Sequence, residues 1–450
     1  MKTASHSDRI GEFNHAMQED LDRADVTLIG GGLTGMAASL HLARAGYRVL
    51  CIEADADSNK IVGESLDWSA PALLDVLGLS MDRMIAEGIA TYKRHVTVRL
   101  EDGSSQDYLP GEWLAHRPWN VELRTMHVDR PQLGRALRKI VLSHGVELAA
   151  DRVVDVEREG GRVTAVSTAL GRRISSRWFI DASGSSARLF PRAFQLPVHE
   201  YGPTKVGMWT YFSVPESSEG TTLYLDGRSP YMEWIWEIPI HPNVISVGYV
   251  AAGDAIKARR RQGFTVDEIL RERLARIPRF EGLLRAPAAM APQVTSFQCR
   301  VHGGLVGPNW LVVGEAASMV DPMTSNGVTA ALRHAAEASA LIIRFGHRPQ
   351  LPLLARKMYS KRIVDLSRFF NCGIEKTIYD PAIRNRVGVL NAGRAYTIAA
   401  WSLNAAYSRL RPEGTVSTVI FGFVLNLFRA ASVVCWVLCK RLEGARKVAG

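Results

Sequence analysis

Cysteine is scarce in this 450-residue chain: Cys51, Cys299, Cys372, Cys435 and Cys439 are an odd set with no CxxC pair and no metal-ligand spacing. That argues against a disulfide framework or a metal centre and suits a reducing, cytoplasmic setting. No low-complexity tract or fixed-period repeat occurs, which sets aside solenoids and propellers. Residues 1–24 lack an apolar core of the kind a secretory signal needs, so they are expected to form a flexible extension. Acidic residues are outnumbered, 45 against 55 Lys and Arg, giving a formal net charge of +10 and a pI near 9.5. The imbalance favours anionic partners such as dinucleotides, acidic carrier proteins or anionic lipid, and no nucleic-acid motif accompanies it. Lys257, Arg259, Arg260 and Arg261 read as a solvated run ahead of a helix over 266–275. Long apolar runs are absent but for residues 416–439, where Asn426 and Arg429 interrupt. An arginine at mid-bilayer costs about 2.5–3.5 kcal/mol, so a clean span is not expected. Lys440, Arg441, Arg446 and Lys447 follow, leaving two readings of 416–447: a buried helical pair, or an interfacial element on anionic headgroups.

What is present is ample for folding. Hydrophobic residues make up 47% and charged residues 22%, and the length calls for two or three packed regions. The first chemical signal is Val26-Thr27-Leu28-Ile29, an apolar strand-like run, followed at once by Gly30-Gly31-Gly32-Leu33-Thr34-Gly35 and a helical stretch to Ala45. This is GxGxxG in the context it requires. Gly30 permits the turn, Gly32 lets backbone approach a pyrophosphate, Gly35 lets helix pack on strand, and the helix N-terminus faces the phosphates. A second strand over 47–53 ends on Glu53, placed to hold the adenosine ribose hydroxyls. A fortuitous glycine-rich turn would not bring strand, helix, strand and acid in this order. The cluster Gly303-Gly304-Leu305-Val306-Gly307 meets Pro308 and a strand instead of a helix, so it reads as a turn.

Two further strand-to-turn segments resemble the large FAD-dependent monooxygenase and halogenase superfamily. They are Arg177-Trp178-Phe179-Ile180-Asp181-Ala182-Ser183-Gly184 and Trp310-Leu311-Val312-Val313-Gly314-Glu315-Ala316-Ala317. The superfamily has aspartate where Glu315 stands, contacting the ribityl chain. The resemblance implies FAD, contacted by Gly30, Gly32, Leu33, Thr34, Gly35, Glu53, Ser65, Arg130, Asp181, Gly314, Glu315, Asp321, Gly327 and Val328. The helix over 328–345 would point its N-terminus at the pyrimidine edge of the flavin. No second dinucleotide motif is visible, which suggests FADH2 delivered by a separate flavin reductase.

Within that superfamily, residues 25–345 resemble the flavin-dependent halogenases of the tryptophan halogenase type. Val62-Gly63-Glu64-Ser65-Leu66 matches the Gly-Glu-Ser loop at the flavin, although the family's nearby proline is replaced by Asp67 and Trp68 and delayed to Pro71. Residues 93–100 resemble the segment carrying the catalytic lysine at the start of a strand. Lys93 is the candidate; the plain alternative is a surface lysine, since Arg94 and His95 beside it look solvated. Trp234-Ile235-Trp236-Glu237-Ile238-Pro239 is WxWxIP, with Trp234, Trp236 and Ile238 on one strand face and Pro239 closing it at an edge. The resemblance implies that its indoles shape the site and shield the flavin. Met319-Val320-Asp321-Pro322-Met323-Thr324-Ser325-Asn326-Gly327 fits FxxPxxSxG with Met319 for phenylalanine; Asn326 and Gly327 would form an anion-holding nest beside the shaping residue Ser325. Where a carboxylate commonly assists the lysine, Thr324 stands, and the assisting acid is unassigned.

The resemblance implies an α/β chain with a dinucleotide-binding FAD domain (25–75, 120–190 and 300–345) and a β-sheet substrate domain (76–119 and 191–299); residues 346–450 lie beyond it and read as a helical C-terminal region, with helices over 356–370 and 384–407. It implies an enzyme of secondary metabolism that uses FADH2, O2 and halide to make hypohalous acid. Lys93 relays that acid to an electron-rich, small or carrier-tethered aromatic substrate. The rival readings are a monooxygenase or a lipid double-bond reductase of the same fold, and a non-catalytic membrane or assembly protein.

Overall fold

The computed structural model describes residues 24–55, 63–115, 123–228, 231–285, 288–381 and 390. Its first layer is a five-stranded sheet in the order Trp310–Val312, Trp178–Asp181, Val26–Ile29, Val49–Glu53, Glu147–Ala150, every pair parallel. The first four strands are almost continuously apolar because both faces of the sheet are covered: the helix Leu33–Arg44 packs on it, and Val163, Val166 and Ile174 of a three-stranded antiparallel sheet (Val153–Glu159, Arg162–Thr168, Arg173–Ile174) join the same core. The helix Leu33–Arg44 lies between the sheet and the helix Gly327–Phe345, and Gly46, at φ +86°, follows its C-cap.

The second layer is an eight-stranded sheet: Ser318–Met319, Gln293–His302, Val198–Ser213, Val244–Ala252, Glu233–His241, Gly220–Asp226, His95–Leu100, Ser105–Tyr108. A two-stranded ribbon, Ala90–Lys93 with Thr125–Val128, bridges the layers and pairs Lys93 with Thr125. In the strand Glu233–His241, Trp234, Trp236, Ile238 and Ile240 enter one apolar cluster and Ile235 another, as period-2 spacing requires. Pro239 does not end the strand, which runs on to His241, but it does lie where one side of the strand is unpaired: it pairs with Ile245, while the pairing with Gly220–Asp226 stops at Glu237, so the absent N–H is tolerated there.

The basic run is itself helical, within Gly253–Arg261, because Ala255, Ile256 and Ala258 sustain the helix between the charges. Arg259 reaches Glu272 on the next helix, Val266–Leu274. The C-terminal helix Leu353–Ile374 ends in a π-helical turn, Glu375–Tyr379, packed on the second sheet. Cys51, Cys299 and Cys372 are buried. Among the described residues no helix is long and apolar enough to cross a membrane. Residues 416–447, the helix expected over 384–407, Cys435 and Cys439 lie outside the described residues.

Candidate active site

The glycine loop forms by steric necessity. A Cβ on Gly30 would lie 2.4 Å from the Ala182 carbonyl oxygen, and one on Gly35 would lie 1.8 Å from the Gly30 oxygen. At Gly32 a Cβ would meet nothing within 4 Å, so this face of the loop is open where helix amides begin. Glu53 braces the turn from the adjacent strand: its carboxylate accepts Gly31 N–H at 2.5 Å and Asp55 N–H at 2.8 Å.

Buried polar groups without partners surround this cradle. Arg130 opens the helix Arg130–Ser143 with its Nε and Nη1 buried and unpaired, facing the charges of Glu315 and Glu64. Asn326, 1% exposed, leaves both amide atoms unsatisfied at the start of the helix Gly327–Phe345. Unmet buried donors are costly in a finished interior. Around an open glycine loop they suit a large anionic, hydrogen-bonding group, and FAD fits. Asp181 and Asp321 act on the site through the turns they hold. The Asp181 carboxylate accepts Ser183 and Phe190 N–H at 2.9 and 2.7 Å. That of Asp321 accepts from Lys205 Nζ at 2.8 Å and Met323 N–H at 3.0 Å.

Lys93 ends the strand Ala90–Lys93 instead of starting the next, and it is 1% exposed. The strand ends before Arg94, whose N–H turns to the Glu219 carbonyl and whose guanidinium pairs with exposed Glu112. The surface look of the neighbours therefore does not extend to Lys93. Its Nζ donates to the Leu66 carbonyl at 2.7 Å and stands 4.8 Å from the centre of the Trp68 ring. Burial pushes its pKa down to about 7 against the upward pull of Asp67. Asp67 is buried too, and burial raises its own pKa. Asp67 and Trp68, the residues at which this loop departs from the family's pattern, are the ones that act on Lys93 here.

The Gly-Glu-Ser loop and the 321–327 loop meet. Ser325, in the left-handed region at φ +54°, donates to Ser65 Oγ at 3.3 Å, and Ser65 Oγ is 2.8 Å from Thr221 Oγ1. Left-handed Ser325 followed by right-handed Asn326 gives the succession of amides that an anion nest requires. Glu64 lies buried behind, its pKa pushed up to about 7 by burial, with Tyr211 OH donating at 2.7 Å. The tryptophans are fixed by their N–H groups: Trp234 donates to Tyr379 OH at 2.9 Å and Trp236 to Ser246 Oγ at 3.1 Å. Lys205, unremarked in the sequence, ties Asp321 to Glu375.

A dinucleotide loop on a parallel sheet, backed by a second sheet and crowned by unpaired buried donors, defines an FAD-dependent oxidoreductase; residues 25–193 match the FAD dependent oxidoreductase family model. Residues 121–364 match the Tryptophan halogenase model, and the chain belongs to that family. It is similar to the Tryptophan 2-halogenase of Chondromyces crocatus, 28% identical over 70% of this chain and 60% of that protein, so it matches less than two thirds of that relative's length. It is 25% identical to the 1H-pyrrole-2-carbonyl-[peptidyl-carrier protein] brominase of Pseudoalteromonas luteoviolacea over 84% of this chain and 93% of the relative. It is also 27% identical to the Menaquinone reductase of Mycolicibacterium smegmatis over 75% of this chain and 82% of the relative. A triple mutant of the flavin-dependent brominase Bmp2 shares the fold at a TM-score of 0.72 and 20% identity, over 91% of this chain and all of that one.

Proposed function

We propose that this chain is an FAD-dependent halogenase acting on an electron-rich aromatic substrate. The observation that carries the reading is a lysine buried to 1% exposure beside the flavin loops, with its pKa brought down to about 7. A halogenase has a use for such an amine, because a neutral amine can take up electrophilic halogen and an ammonium can donate to hypohalous acid. FAD, when bound and reduced, supplies with dioxygen the oxidising power that converts halide to hypohalous acid.

The chain's own residues do the rest. Gly30, Gly32 and Gly35 admit the cofactor's pyrophosphate, Glu53 its ribose, and Arg130 and Asn326 spend their free donors on it. Backbone N–H groups of Asn326 and Gly327 hold the halide. Trp234 and Trp236 keep the arene off the flavin, so that oxidant must pass by way of Lys93. A separate flavin reductase is the source of reduced cofactor. The similarity to an enzyme of carrier-bound pyrrole supports a carrier-tethered arene, and the net charge of +10 suits an acidic carrier.

Lys93→Ala tests the reading. The variant should bind FAD and consume reduced flavin and dioxygen like the parent, while halogenated product falls by at least about 100-fold, a typical worth of one positioned acid–base group. Undiminished halogenation would remove Lys93 from the mechanism.

A further inference from the structure

Along the later turns of the helix Gly327–Phe345, away from Asn326 and Gly327 at its start, lies an open groove of about 810 Å³. The helix Ala70–Val76 and the first half of Leu353–Ile374 form its other walls. Leu73, Leu77, Leu332, Ala336 and Leu341 make its lining apolar. At its lips the apolar side chains face water: Val76, Leu354 and Met358 are each more than half exposed. Ile343 and Leu353, next to lining residues, are exposed as well. Scattered apolar side chains on a surface mean little, but a contiguous set around a groove marks an interaction site.

The charge around the groove narrows the choice of occupant. Arg333, Arg344 and Arg362 line it against one carboxylate, Glu337, which Arg362 meets at 3.3 Å. His41 adds no charge, since burial and then Arg44 push its pKa down. Arg44, exposed and donating to the Val76 and Leu77 carbonyls, stands at one end, and exposed Lys357 lies one turn from Leu354. A second copy of this chain would set these cations against one another. The apolar segment 416–439 would bring Lys440, Arg441, Arg446 and Lys447 to them. The described chain, moreover, ends elsewhere: the carbonyl of Leu390 accepts from Tyr108 OH at 3.0 Å, on the edge strand Ser105–Tyr108. Apolar anchors set among cations match an anionic bilayer surface, where acyl chains meet the anchors and phosphates meet the cations.

We propose that this face is a membrane-docking surface: Val76, Leu354 and Met358 enter the acyl boundary of an anionic leaflet, and Arg344 and Lys357 hold its phosphates. Such docking does not depend on the reaction at the flavin site.

Flotation of the full chain with lipid vesicles tests it. Vesicles of equal parts phosphatidylglycerol and phosphatidylcholine should lift the protein, phosphatidylcholine alone should not, and salt should weaken the attachment. Arg344→Glu removes one positive charge and adds a negative one. Each is worth about a factor of five at such a surface, so affinity should fall about 25-fold. Leu354→Glu combined with Met358→Glu should abolish flotation, and both proteins should keep the parent's melting temperature and FAD affinity. Leu354→Trp should gain a blue-shifted emission, seen as a difference from the parent, that lipid with brominated acyl chains quenches. A parent that never floats overturns the proposal. So does parental flotation of the glutamate pair, or added tryptophan emission that stays that of water while the protein floats, since attachment would then lie elsewhere in the chain. A lowered melting temperature in the glutamate pair would show a segment of the chain itself in the groove, and a parent dimer that this pair dissociates without lipid would show a second copy there; either overturns it too.

Discussion

A lysine takes up electrophilic halogen through its nitrogen lone pair, so the worth of Lys93 turns on how often it is neutral. With its pKa near 7, the amine is protonated below that pH and free above it. Turnover limited by the free amine should therefore rise with pH through about 7. Asp67 raises that pKa by favouring the ammonium, so Asp67→Asn lowers it and moves the rising limb to lower pH. A limb that stays put or moves to higher pH in the Asp67→Asn enzyme would dissociate the pair. Little of this was legible in the sequence. Arg94 and His95 suggest surface, and the turn that buries Lys93 beside Asp67 depends on a bond to Glu219, far along the chain. The line of hydroxyls from Ser325 through Ser65 to Thr221 was equally hidden, because its members come from three separate segments. Ser325 and Ser65 alone stand 260 positions apart.

At the scale of elements, the glycine loop was readable because its constraints are local. Gly35 answers to the Gly30 oxygen one turn back, Gly30 to Ala182 on the neighbouring strand and Gly32 to open space, so each has its own expected phenotype. Gly35→Ala drives a Cβ to within 1.8 Å of the Gly30 oxygen and should abolish soluble, folded protein. Gly32→Glu meets open space in the protein, yet sets a carboxylate where the pyrophosphate belongs. It should keep the parent's circular dichroism and melting profile while losing FAD in fluorescence titration; parental FAD affinity would remove the basis for the site. The tryptophan strand shows the limit of periodicity. Spacing gave the shared face of Trp234 and Trp236, but whether Pro239 lay at an edge depended on which strands flank it.

Across the whole molecule, the helix Leu353–Ile374 and the turn after it brace the loop that carries Asp321. Asn371 accepts Asp321 N–H at 3.2 Å and donates to the Met319 carbonyl at 3.0 Å. Glu375 meets Lys205 and Tyr231 OH, both at 2.7 Å, and Tyr379 receives Trp234. Burial opposes the charge on Lys205, but Asp321, foremost among its neighbours, holds the ammonium charged. Lys205→Met would leave two carboxylates facing each other without their cation. Breaking a buried pair in this way costs about 3–5 kcal/mol, so the variant should melt well below the parent in calorimetry. An unchanged melting temperature would mean that the helix docks without the clamp.

The central claim is that halide enters the product. Purified enzyme given a flavin reductase, FAD, dioxygen and a panel of phenols, indoles and carrier-bound pyrroles, with chloride, bromide or neither, can be followed by mass spectrometry. The account predicts product carrying the halogen's isotope pattern, absent without halide and absent in Lys93→Ala. An oxygenated or reduced product formed at the same rate without halide would contradict it.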